Sequence, residues 1–146
     1  MKFLLFPAIC AICITVSSAL FEIDDLQRMI TNPADIRTLE MLDDDKITPR
    51  SQIQQQVNEI VARQPQSVQN AYNMIVQNDR AKEEAELRME LQELRMRGAS
   101  TAVLNAKQKL YDIENDLSLS EMQADQQKMQ VKSSLSVTDY MMLESD

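Results

Sequence analysis

Three groups of residues in this chain have types and spacings that could do chemistry. Cys10 and Cys13 stand at C-x-x-C spacing, that of a redox pair or half a metal site. Asp112, Glu114, Asp116 and Glu121 bring four carboxylates into one short stretch, and Asp43-Asp44-Asp45 brings three in a row. Ca²⁺ and Mg²⁺ take oxygen ligands, so either acidic run is a candidate cation site. What is missing narrows the rest. The chain has no His, and no Cys follows Cys13. Without them it has no Ser-His or Cys-His pair, no H-E-x-x-H zinc site and no thiolate in its main body. Paired carboxylates alone could hydrolyse a glycoside, but Phe21, Tyr72, Tyr111 and Tyr140 are the only aromatics after the first nineteen residues, a poor sugar platform. A non-enzymatic protein is the expectation.

The cysteines belong to a different story. Lys2 gives a positive start, Phe3 to Val16 runs without a charge, and Ser17-Ser18-Ala19 offers small residues for cleavage. That pattern predicts a secretory signal peptide over residues 1–19, with Cys10 and Cys13 as apolar filler inside it. The mature chain would then start near Leu20, be secreted, and contain no disulfide. Removing Lys2 leaves 14 basic against 23 acidic residues. Such an acidic chain repels phosphate backbones and anionic membrane surfaces, which argues against a nucleic-acid partner. Nothing downstream is apolar enough for a membrane span, and no Asn is followed by x-Ser/Thr.

Neither acidic run is an EF-hand. That loop needs Gly at its sixth position and a bidentate Glu at its twelfth. Counting from Asp112 puts Leu117 and Gln123 there, and counting from Asp43 puts Gln54 at the end. A looser Ca²⁺ or Mg²⁺ site on Asp112, Glu114, Asp116 and Glu121 stays open. The plainer reading is that these acids solvate a corner and favour the positive start of the next helix.

One glycine and four prolines leave few tight turns, and the rest is rich in helix formers, so the fold class is all-α. The expected architecture is about five to six helices around one long charged helix. Residues 20–32 form an N-terminal segment, at most a short helix, and residues 33–146 a single helical domain. Asn32-Pro33 and Thr48-Pro49 read as helix starts. Ile53, Val57, Ile60 and Val61 make an amphipathic stripe. From about Gln66 to Arg97 nothing interrupts the helical pattern, which would extend about 45–50 Å at 1.5 Å per residue. Val68, Tyr72 and Ile75 mark its first apolar end and Leu87, Leu91 and Leu94 its second, around a charged middle. The plainer reading of that middle is a solvated surface; the sharper one is a helix bridging two lobes. Gly98 closes it, and Ser100 caps the next helix with its stripe from Val103 to Leu117. Ser120 with Gln123 forms a capping box, Ser118 with Glu121 a competing one, and Ser136 caps a last short helix.

Met fills gaps in cores and is over-used on adaptable binding surfaces. In a chain poor in aromatics, core filling is the plainer reading. The functional one is an apolar groove lined by Met89, Met96, Met122 and Met129, taking an extracellular protein or an apolar ligand. A homodimer built on the long helix is a third option.

The tail carries a resemblance. Ile113-Glu114-Asn115-Asp116-Leu117-Ser118-Leu119-Ser120, then Gln123 and Gln127, then Val131 through Ser134-Leu135, resembles the C-terminal signature of the SXP/RAL family of nematode secreted proteins. Upstream, Ile47-Thr48-Pro49 with Val57 and Val61 is similar to the first half of the same domain. The likeness covers roughly Ala34 to Glu144. Ser136 stands where the family has Pro, Ile60 near a position often Trp, and the Pro/Gly-rich mature N-terminus is absent. The resemblance implies a small helical secreted antigen with a cation-binding label and a calmodulin-type architecture. It implies no particular activity.

Overall fold

The computed structural model describes residues 21–145. The expected signal peptide and its two cysteines lie outside these residues. Seven helices and no strand occur among them: α1 (Ile23–Met29), α2 (Pro33–Asp43), α3 (Arg50–Ala62), α4 (Gln66–Met96), α5 (Thr101–Glu114), α6 (Glu121–Ser133) and α7 (Val137–Leu143). The all-α expectation holds. The helix beyond the expected number is α1, and it is no appendage. Phe21, Ile23, Leu26 and Ile30 are buried with Leu39 and Leu42 of α2, Ile53, Val57 and Ile60 of α3, and Tyr72 of α4. α1 thus shares one core with α2, α3 and α4.

A second core is separate from the first. It joins Leu94 of α4 with Val103, Ala106 and Ile113 of α5, Ala124 and Val131 of α6, and Leu143 of α7. The apolar ends of α4 thus serve different partners, Val68 and Tyr72 on one core and Leu94 on the other. The long helix joins the two cores. Its charged middle is mostly solvated, with Lys82–Glu86 at 3.7 Å and Glu84–Arg88 at 3.4 Å on its surface. Exposed pairs of this kind contribute a few tenths of a kcal/mol each. The cores do more: Leu26, Leu39, Leu94 and Val103 are fully buried, each worth about 1.5–3 kcal/mol.

Most helix ends follow the local chemistry. The Asn32 side chain accepts from Ala34 N, Ser100 from Val103 N and Ser136 from Asp139 N. Ser120 and Gln123 form the full capping box; Ser118 does not compete, because it bonds Asp116 instead. Gly98 has φ 78°, and the bonds Ala99 N to Leu94 O and Gly98 N to Arg95 O close α4 in a Schellman turn. Two ends differ from expectation. Thr48 does not cap α3, whose first free N–H groups go to the loop before α6: Arg50 N to Leu119 O at 3.0 Å and Ser51 N to Leu117 O at 2.8 Å. Leu117 is not on α5 either. The helix stops at Glu114, which lets Leu117 turn away and pack on the first core.

Candidate functional site

The four acids at the α5–α6 corner each have a different occupation. Asp112 accepts from Gln108 Nε2 at 2.9 Å, one turn back on its own helix. Glu114 accepts from the Arg50 guanidinium at 3.3 Å on one oxygen and from Lys128 Nζ at 2.7 Å on the other. Asp116 turns its own loop, accepting from Ser118 N at 2.9 Å and Ser118 Oγ at 2.6 Å, and these bonds hold its carboxyl below the usual range. Glu121 pairs with Lys46 at 3.3 Å. Among the described residues no three acidic side chains gather as a metal ion requires. The corner brings the four together in sequence, not around a point.

Their partners reveal what the corner does. The loop between α2 and α3 and the loop between α5 and α6 lie side by side, tied by Met122 N to Lys46 O at 3.0 Å and by the two bonds at the start of α3. Each loop is turned by an aspartate. Asp45 accepts from Ile47 N at 3.0 Å and Thr48 N at 2.9 Å, and its bonds to Thr48 and Ile47 lower its pKa. Arg50 locks the joint. Its side chain is buried and donates to Ile113 O at 3.3 Å and Glu114 O at 2.6 Å, capping the carbonyl end of α5 from another helix. Asp43 titrates above the usual range because of burial and then of Asp24, Asp44 and Glu121 around it. The triple Asp is part of a structural corner as well. Sequence reasoning missed Arg50, yet it stands one turn before Ile53 on the buried stripe of α3, where a charge demands a partner.

The methionines are not core. Met41, Met74, Met89, Met96, Met122, Met129 and Met141 are exposed, while among the described residues only Met29 and Met142 pack partly on a core. Helix geometry gives the reason. Met89 and Met96 follow Leu87 and Leu94 by two residues, and Met122 and Met129 precede Ala124 and Val131 by two. Two residues turn a side chain about 200° at 3.6 residues per turn. Each methionine pair therefore faces away from the core its neighbours fill. For the same reason Met89, Met96, Met122 and Met129 do not line a common groove.

Two open clefts do flank α5, walled by other residues. One, of about 390 Å³, lies between α4, α5 and α6 over Leu87, Leu110 and Tyr111. The other, of about 640 Å³, lies between α5 and α6 over Ala106, Ile113, Val131 and Leu135, among the amides Asn105, Gln127 and Gln130. The rim of the first is ionic: its three lysines are all paired, while Glu83 is held above the usual carboxylate range by burial and then by Asp79, Glu114 and Glu86. Lys107 pairs with Glu90 at 2.9 Å, Lys128 with Glu114 at 2.7 Å and with Asp125 at 2.9 Å, and Lys132 with Glu144 at 2.7 Å. Burial pulls the Lys128 pKa down, but Glu114 and Asp125 outweigh it and hold the ammonium above its usual value. Tyr111 is pushed up by burial and by Glu84 and Glu83, so its phenol stays neutral. A floor of leucine and tyrosine beneath lysines that are already paired suits an uncharged apolar guest. No helix among the described residues is long and apolar enough to cross a membrane. No family model, curated protein or solved structure matches this chain.

Proposed function

We propose that the chain is a secreted, non-enzymatic binding protein of SXP/RAL type, and that the cleft between α4, α5 and α6 takes its ligand. The ligand is an uncharged apolar molecule or the apolar side chain of an extracellular protein. The observation that carries this reading is the floor of half-buried Leu110 and Tyr111 beside buried Leu87, within a rim of paired lysines. A rim whose lysines all have carboxylate partners selects against an anionic headgroup, and desolvating Leu110 and Tyr111 drives entry. Secretion rests on the pattern of residues 1–19. The cation-binding alternative gains no support from the α5–α6 corner, where every candidate acid already has a partner.

An environment-sensitive apolar dye tests the reading. The native protein should bind it saturably, and Tyr111→Glu should abolish the signal while leaving the far-UV circular dichroism unchanged. A native protein that ignores the dye, or a Tyr111→Glu variant that binds it as well as the parent, overturns the proposal.

A further inference from the structure

The face of α4 turned away from both cores carries no charge. Met74, Asn78, Ala81, Ala85, Met89, Gln92 and Met96 follow one another at steps of 4, 3, 4, 4, 3 and 4 residues, and all are exposed. The three methionines are 62%, 62% and 75% exposed. Ten of the residues from Asp79 to Arg95 are charged, and none of them falls on this stripe. A solvated helix face is expected to be its most polar one. Single exposed apolar residues need no explanation, but an aligned neutral row on the longest helix does.

The row has two further properties. It repeats every 11 residues, from Met74 to Ala85 to Met96, and 3.67 residues per turn is close enough to the helical 3.6 to keep the row nearly straight over about 33 Å. It also has the same spacing read backwards. Turned about Ala85, Met74 meets Met96, Asn78 meets Gln92, Ala81 meets Met89 and Ala85 meets itself. Thioether meets thioether, amide meets amide, and a small residue meets a long one. The flanks obey the same operation. On one side Lys82 stands two residues, about 3 Å along the axis, from the level of Glu86 of the turned copy, and on the other Arg88 stands the same distance from Glu84. A surface complementary to itself under a two-fold rotation is what an isologous dimer requires.

We propose that two copies of this chain pair antiparallel along the outer face of α4, with Ala85 on the two-fold axis. Alanines at the centre let the helices approach to about 8 Å, and the methionines close the two ends. The flanking pairs fix the register. This interface lies on the opposite side of α4 from Leu87, so it stands independently of the cleft.

Sedimentation equilibrium on the protein purified from a secreting host tests it. The parent should show a reversible monomer–dimer equilibrium in the micromolar to sub-millimolar range. Ala85→Glu sets two carboxylates against each other on the axis and should weaken the dimer by at least about a hundredfold. Ala85→Lys should do the same. Mixing the Glu and Lys variants should restore a dimer, because the residue faces itself. Dye binding in the cleft should persist in both variants, which separates failure here from failure of the proposed function. A parent that stays monomeric throughout, an Ala85→Glu variant that still dimerises, or a mixture that does not reassociate overturns the interface.

Discussion

Removing the Arg50 guanidinium should unfasten the joint between the two loops. Its side chain is only 6% exposed and donates to Ile113 O, Glu114 O and Glu114 Oε1. Arg50→Met keeps most of the apolar stem and deletes all three bonds. Two carbonyls at the end of α5 then lose their donor, at about 1–3 kcal/mol each where water cannot reach them. Glu114 keeps Lys128, so its charge is not stranded, and the loss should fall at the low end of the range for broken buried pairs, about 3–4 kcal/mol. For a domain this size that is a drop in Tm of roughly 12–16 °C. Urea unfolding followed by circular dichroism measures it, with the midpoint moving and the slope unchanged. Arg50→Lys, which keeps the charge but not the fork, should lose about half as much. A loss below about 1 kcal/mol for Arg50→Met would mean that water already satisfies those carbonyls, and the joint would not be held as described.

Other consequences are as direct. Gly98 holds φ 78° with open space around it, so Gly98→Ala should cost about 1 kcal/mol through backbone strain alone, read as a small fall in urea midpoint. Glu22 is pushed up from 4.5 to about 7 by burial, then by its hydrogen bond to Asp79 and the charges of Asp79 and Asp25. Its folded form holds the proton longer than the unfolded chain, so its ionisation lowers stability as pH rises from 4.5 to 7. Glu22→Gln should therefore raise Tm relative to the parent at pH 8 and leave it unchanged below pH 4.5, and equal shifts at both pH values would contradict that assignment.

Local chemistry made much of this fold legible. Asn32, Ser100, Ser120, Ser136 and Gly98 mark helix ends because their partners lie within three residues in sequence. The split of α4 between two cores was legible too, since a helix with a charged middle cannot bury one continuous face. Long-range partners were not. The start of α3 is capped by carbonyls of residues 117 and 119, and no local pattern at Thr48-Pro49 records that. The acids at the α5–α6 corner share a short stretch of sequence, which suggested a cation. Glu114 and Glu121 are occupied by Arg50, Lys128 and Lys46 from other elements, and Asp112 and Asp116 by Gln108 and Ser118 close in sequence. The methionines misled because composition says how many there are, not on which side of a helix they stand. The spacing of Met89 and Met96 already sets them off the Leu87-Leu91-Leu94 face, and both are exposed.

An uncharged apolar guest is proposed to enter the α4–α5–α6 cleft. Amide chemical-shift mapping of the labelled protein during titration with a medium-chain alcohol tests it most directly. Saturable shifts should cluster at Leu87, Leu110, Tyr111 and Lys128, with little change at Ala106 or Leu135 in the neighbouring cleft. Shifts that never saturate, or that centre on any face other than that cleft, would contradict it.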